Sequence, residues 1–236
     1  MIFLRTIYNN QIFWTVLLTL YALSVTLLTE YPYKWMRARG IEKNVAVYYD
    51  RKIVHMLAGG VVLFVVPFVF REGNFPFPYA YPLIIGLLLT VATLIPHLTG
   101  NLLEWVQVKK NRNEVHFCFM WGVTVFALWI VFDNPWMAII PPIFMAFGDG
   151  ITGVVRNALF AERTKSFIGN VFMLALCAPA GYFLARMGGL ALWGLIAAVV
   201  ASYIERYEFG PIDDNILITV SSSLVLYLGH LIGPIA

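Results

Sequence analysis

Apolar residues run along this chain in blocks of spanning or near-spanning length, near 11–28, 53–70, 79–96, 115–132, 135–148, 167–185, 188–204 and 216–235. An apolar run of roughly 18 or more residues with few charges reads as a helix that crosses a bilayer. The pattern predicts eight spans, with seven as the alternative. The fifth block is short and holds Pro141-Pro142, which predicts a kink or break there. The first block lacks a basic leader beyond Arg5 and a small-residue cleavage site, so it reads as a permanent span. No repeat, low-complexity stretch or composition break divides the chain. The predicted fold class is therefore all-α, a polytopic integral membrane protein forming a single transmembrane domain over residues 1–236.

Composition agrees. The chain is 60% hydrophobic and 12% charged, against about 25% charged in soluble domains. Cys118 and Cys177 both fall inside apolar blocks, where they serve as small apolar side chains and carry no redox information.

Charge adds sidedness. With eight spans, all but Arg5, Arg71 and Arg186 of the 16 Lys and Arg residues gather at the loops after spans 1, 3, 5 and 7. The positive-inside rule makes that face cytoplasmic and puts both termini outside. All but Glu72 and Asp133 of the 13 acids share the face. A bias in Lys and Arg does not require acids to follow, whereas a site for metal and phosphate does.

Four segments of that face carry candidate chemistry. Asp50-Arg51-Lys52-Ile-Val-His55 places Arg51 and His55 one helical turn apart, ahead of Gly59-Gly60. His97 to Glu104 leads into a charge run at Lys109, Lys110 and Arg112, which reads as solvated, and then into Glu114 at the mouth of span 4. In the third, Met145 to Asn157, a helix read from Asp149 puts Asp149, Thr152, Gly153, Arg156 and Asn157 in one polar stripe. Small residues Gly148, Gly150 and Gly153 at a helix start can expose backbone N–H groups to phosphate oxygens, or can serve close helix packing. Lys165, Ser166 and Asn170 follow with a cation and polar groups. The fourth segment, Glu205 to Asn215, holds Asp213, Asp214 and Asn215, hard oxygen donors of the kind Mg²⁺ takes beside nucleotide phosphates. Asp214 is also the expected N-cap of the last span.

Two nucleotide-binding folds are excluded. Gly148-Asp-Gly150-Ile-Thr-Gly153 matches G-x-G-x-x-G formally, but no strand precedes it and no acid lies twenty residues on, where Met173 stands. No Walker A sequence occurs. A transporter or channel would place ionisable groups near the bilayer midplane, and Asp, Glu, Lys and Arg are missing from the middles of all eight blocks.

Taken in order, Arg51-Lys52-x-x-His55, Gly148-Asp149, Lys165-Ser166-x-x-Gly169 and Glu205…Asp213-Asp214-Asn215 resemble the polyprenol kinases: dolichol kinases, phytol kinases and CTP-dependent diacylglycerol kinases, distantly similar to CDP-diacylglycerol synthases. The resemblance covers about residues 50–220. The chain departs from the pattern at Arg156-Asn157, where a Gly-Arg pair is expected, and at Ile168-Gly169, where Glu-Gly is expected; Glu162 is a candidate replacement acid. The resemblance implies a membrane enzyme, in a cell or endoplasmic-reticulum membrane, that moves the γ-phosphate of CTP or ATP to an isoprenoid-type lipid alcohol with Mg²⁺. Its partners would be that alcohol, the nucleotide and membrane lipids, not nucleic acid, and self-association is left open. Asp149, Asp213, Asp214 and Asn215 would hold the metal. Arg51, Lys52, Gly148, Gly150, Gly153, Arg156, Asn157, Lys165, Ser166 and Asn170 would hold the nucleotide. Asp149 would be catalytic, with His55 or Glu114 taking the alcohol proton. The alternatives are a CDP-lipid synthase and, more remotely, a transporter.

Overall fold

The computed structural model describes residues 10–70, 77–160 and 164–235. Arg5, Arg71, Glu72, Glu162 and Arg163 lie outside the described residues. Among the described residues the chain is helix and turn, without a strand. Helix α1 covers Gln11–Leu28, capped by the Asn10 side chain, and continues through Thr29 into α2, Glu30–Ala38. α3 is Lys43–Val54, and a π-helical turn at His55–Gly60 joins it to α4, Val61–Val69. α5 spans Ala80–Thr99 and ends on the left-handed Gly100; α6 spans Asn113–Phe132. Two short helices, α7 at Pro135–Ala138 and α8 at Ile140–Ile143, lead through a second π turn, Phe144–Gly148, into α9, Asp149–Phe160. α10 is Phe167–Arg186, α11 Ala191–Ile204 and α12 Asp214–Ile232.

Seven of the resulting helical stretches are long and apolar enough to cross a membrane; α11, with 14 residues, is not. The sequence pattern counted it as an eighth span. α11 nevertheless runs back along α10, because Gly194 meets Gly181 near one end and Ser202 bonds Asn170 near the other. The Trp193 indole then donates to the Gly233 carbonyl at the end of α12. At about 1.5 Å per residue α11 is only about 21 Å long. Its last turn reaches the first turn of α10, where Ser202 meets Asn170, and the turn at 205–213, closed by paired backbones at Phe209 and Ile212, leads into α12.

Two further boundaries differ from the sequence reading. The second span begins at Lys43, not near residue 53, because the polar face of α3 turns inward to the site. The fifth runs on past residue 148, and its regular helix is interrupted at Ile139, just ahead of Pro141-Pro142, as the prolines predict. Pro141 occupies the first turn of α8, where a missing N–H costs nothing, and the path continues to Phe160.

Burial is graded across the bundle. In the Pro135–Phe160 stretch 78% of the apolar window is enclosed, against 17% for α5, so α7–α9 form the centre and α5 the rim. Ile139, Ile140, Ile143, Phe144 and Met145 are buried at that centre. Leu87, Leu88 and Val91 of α5 and Phe172 and Phe183 of α10 point outward, the arrangement expected where hydrocarbon is the solvent.

α10 and α11 touch backbone to backbone. A Cβ on Gly194 would collide with the Gly181 carbonyl oxygen, and one on Gly181 would collide with that of Gly194. Small residues permit such approach and hence close van der Waals packing between helices. Gly194→Leu should therefore push the pair apart and cost about 1–3 kcal/mol, read as a lowered melting temperature in detergent. An unchanged melting temperature would mean the contact is dispensable.

Candidate functional site

α9 carries its polar stripe on the inside. Asp149, Thr152, Gly153, Arg156 and Asn157 are buried, while Leu159 and Phe160 are exposed. This helix turns its charges inward and its apolar side outward, and each inward charge then needs a partner.

Three pairs supply them. Lys52 Nζ lies 2.6 Å from both carboxylate oxygens of Asp149. The Arg156 guanidinium donates in fork geometry to Glu205, Nη1 to Oε1 at 2.7 Å and Nη2 to Oε2 at 2.8 Å. Lys165 Nζ donates to Asp214 Oδ2 at 2.8 Å and to the Glu205 carbonyl at 3.0 Å. The pairs sit side by side: one carboxylate oxygen each from Asp149, Glu205 and Asp214 fall within 4.8 Å of one another. Burial works against the Lys165 ammonium, but the Asp214 and Glu205 carboxylates beside it outweigh that and hold its pKa above the ordinary lysine range.

The two π turns pack against each other, since a Cβ on Gly60 would run into the Phe147 ring. One opens at His55 and the other closes at Gly148, directly before Asp149. π turns recur at functional sites because the extra residue per turn re-aims the side chains beyond it. Here they bring His55 Nδ1 to 3.3 Å from Asp149 Oδ2, with the imidazole stacked on Phe117 at a centroid distance of 3.9 Å. Both ring nitrogens of His55 are buried without a hydrogen bond, Nδ1 beside the Asp149 carboxylate and Nε2 away from it.

A polar cavity of about 490 Å³ opens over this group, walled by Arg51, Lys52, His55, Asp149, Lys110, Asp214 and Asn215 among others. Asn215 Oδ1 and Asn111 Oδ1 are buried without partners in its surroundings. A second, apolar cavity of about 100 Å³ lies between α1, the first π turn, α5 and α6. That is several times the roughly 10–15 Å³ one water needs. Arg51 and His55 line both cavities.

The sequence-predicted residues divide into two groups. Arg51, Lys52, His55, Asp149, Asp214 and Asn215 face the polar cavity, and Glu114 faces the apolar one. Arg156, Ser166 and Asn170 do not wall the cavity but bond one another behind it. Arg156 Nε donates to the Ser166 carbonyl, Nη2 donates to Asn170 Oδ1, and Asn170 Nδ2 donates to Glu205 and to the Ser202 carbonyl. Those partners take four of the five guanidinium N–H groups, and Arg156 does not line the polar cavity, so its place is to hold Glu205. Lys165 also binds from behind, through Asp214, and Asn157 is buried with its Nδ2 unpartnered. Gly148, Gly150 and Gly153 serve packing: their missing side chains make room for Met173 and Cys177, for Met56, and for the Lys52 stem. Asp213, not Asp214, caps the last helix, accepting from Ile216 N at 3.2 Å, and it also takes His116 Nδ1 at 3.0 Å. It stands apart from the three clustered acids. Burial and then the Asp214 charge raise its pKa above the usual carboxylate value, against the pull of His116.

Sequence reasoning missed Glu205 as a cluster member, His97 as a partner of Glu114 at 2.6 Å, and His116. Glu205 carried a usable signal, a lone acid closing an apolar run; the two histidines carried none, since their partners lie on other segments. Asp50 is fully buried with neither carboxylate oxygen hydrogen-bonded. Comparison of the chain with protein-family models, curated proteins and solved structures finds no match in any of the three.

Glu205→Gln should cost about 3–5 kcal/mol in thermal stability by leaving Arg156 buried and uncompensated. Replacing both Arg156 and Glu205 by Met should recover most of that loss. Melting curves of the two variants in one detergent check both halves.

Proposed function

We propose that the protein is a membrane-embedded kinase that transfers the γ-phosphate of a nucleoside triphosphate to the hydroxyl of an isoprenoid-type lipid alcohol, CTP being favoured as donor on the motif resemblance. The observation that carries this reading is the seam between the two cavities. A polar chamber lined with Arg51, Lys52 and Lys110 suits a polyphosphate, an apolar one suits the head of a lipid, and His55 belongs to both. The charged end of the bundle would face the cytoplasm, with both termini outside.

The donor set fits Mg²⁺. Asp149, Glu205 and Asp214 present clustered carboxylate oxygens, and Asn215 Oδ1 is a buried oxygen without a partner, all hard ligands. When bound, Mg²⁺ would neutralise charge on the transferring phosphoryl group. The three carboxylates are already balanced by Lys52, Arg156 and Lys165. A cation therefore enters favourably only together with the anionic phosphates it accompanies.

The chain's own residues supply the rest. Arg51 and Lys52 bind phosphate oxygens and orient the γ-phosphorus toward the seam; phosphoryl transfer depends mainly on such positioning and charge neutralisation. His55 Nδ1 stands 3.3 Å from Asp149 Oδ2, and a proton kept on Nδ1 by that carboxylate leaves Nε2 as the free lone pair. His55 Nε2 takes the proton of the lipid hydroxyl as its oxygen bonds to the γ-phosphorus, and the bond from that phosphorus to the nucleoside diphosphate breaks. Phe117, stacked on the ring, fixes its plane.

The rival is a CDP-lipid synthase, in which a lipid phosphate attacks the α-phosphorus. Purified protein with Mg²⁺, a mixture of lipid alcohols and lipid phosphates, and CTP or ATP labelled at either position separates the two. Label should reach lipid from the γ position, and Asp149→Asn should lower that transfer by about 100-fold or more while far-UV circular dichroism stays helical. Transfer from the α position alone would establish the rival, and full activity in Asp149→Asn would remove Asp149 from the mechanism.

A further inference from the structure

The apolar cavity contains one polar contact that the transfer step does not use. Glu114, in the first turn of α6, is buried and lines this cavity without reaching the polar one. Its Oε1 lies 2.6 Å from Nε2 of His97, in the last turn of α5. Its Oε2 is buried and has no partner.

The other uncharged polar side chains of the cavity wall are satisfied within the protein. Thr26 Oγ1 donates to the Ala22 carbonyl and Thr93 Oγ1 to the Leu89 carbonyl. Gln107 donates from Nε2 to the Thr93 carbonyl and accepts at Oε1 from Leu103 N. Arg51 and His55 stand at the seam, where the phosphate chamber begins. A carboxylate oxygen left bare inside an apolar chamber is costly, because a buried acceptor without a donor forfeits its hydration. A ligand that brings a donor offsets that cost.

We propose that the His97–Glu114 pair is the headgroup-recognition site for the lipid. It reads an uncharged hydrogen-bond donor, an alcohol, and rejects the ether and the phosphate of the same chain. This rests on the lipid-kinase reading above for its biological meaning, though not for its chemistry. In this arrangement His97 donates from Nε2 to Oε1 of the carboxylate, which leaves Oε2 as an acceptor toward the cavity. A hydroxyl fits that acceptor while nucleotide is absent, and its one proton turns from Oε2 to His55 Nε2, on the same cavity wall, when transfer begins. An ether offers no proton, and a phosphate sets acceptor oxygens against an acceptor. Sites built to bind a hydroxyl discriminate strongly against analogues lacking it, because their buried polar groups are then left unpaired. His97 is a positioning residue: it does not line the cavity and acts by fixing which oxygen of Glu114 does. The same arrangement favours departure of the phosphorylated product.

Equilibrium binding of tritiated farnesol and of its methyl ether, measured without nucleotide on full-length protein in nanodiscs, tests this. The wild type should bind farnesol about tenfold or more tighter than the ether. In Glu114→Gln the amide oxygen accepts from His97 and the NH₂ turns to the cavity, so the preference should vanish or reverse. His97→Leu, which frees Glu114 to rotate, should shrink the preference while nucleotide binding stays unchanged. A misfolded variant would lose both ligands and its nucleotide binding together, so the ratio separates recognition from stability. Equal wild-type binding of alcohol and ether, or a preference kept intact in both variants, overturns the proposal. If γ-phosphate transfer fails while the alcohol preference and its loss in Glu114→Gln hold, the recognition site stands and the kinase reading falls. Transfer without any preference does the reverse.

Discussion

Everything at the charged end of this bundle depends on one constraint: a carboxylate removed from water must have a cation or a donor against it. Asp149, Glu205 and Asp214 are close enough to repel one another strongly in a low-dielectric interior, and each is answered by its own base, Lys52, Arg156 and Lys165. The pairing dictates local geometry. Gly153 has no side chain because the Lys52 stem crosses α9 there, and Gly169 has none because a Cβ would fall 2.6 Å from Arg156 Nε. The close packing of α10 on α11 through Gly181 and Gly194 accompanies the contact that brings Glu205 under the Arg156 fork.

The pairs are not equivalent. Arg156–Glu205 is backed by Asn170, Ser166 and Ser202, a brace that holds α9, α10 and α11 together while one Glu205 oxygen stays beside those of Asp149 and Asp214. Lys52–Asp149 borders a cavity, so its partners can exchange with a ligand of like charge. A braced pair behind an open pair is the arrangement expected where a site must stay rigid yet admit a charged substrate. The paired π turns set the open pair's register, since they put His55 beside Asp149 and beside the apolar chamber at once.

The apolar chamber obeys different physics. Gly86 and Gly122 let α5 and α6 meet closely, and α1 covers the chamber from the outside with a largely exposed apolar surface. Within it the threonines turn their hydroxyls to their own helix backbones, the usual way such residues are tolerated in apolar surroundings. Glu114 departs from this economy, and with His55 it gives an otherwise greasy wall chemical direction.

The hydrophobic pattern alone determined that the fold is helical, that its helices are membrane length, and that acids and bases share one end. Those properties are local: they depend on run length and on charge placed at run ends, which the chain states directly. The start of α9 at Asp149 and its polar stripe were legible for the same reason, since helical periodicity fixes which residues share a face. The sequence could not say that the stripe faces inward, that α11 is shorter than its apolar run, or that Asp213 caps α12 while Asp214 joins the acidic cluster. Nor could it separate Arg156 as a brace from Lys52 as a cavity wall, or join His97 to Glu114. These outcomes depend on which side chains meet across segments as far apart as Lys52 and Asp149 or Arg156 and Glu205. Only packing decides that, because a charge buried in one helix takes whatever partner the neighbouring helices bring to it.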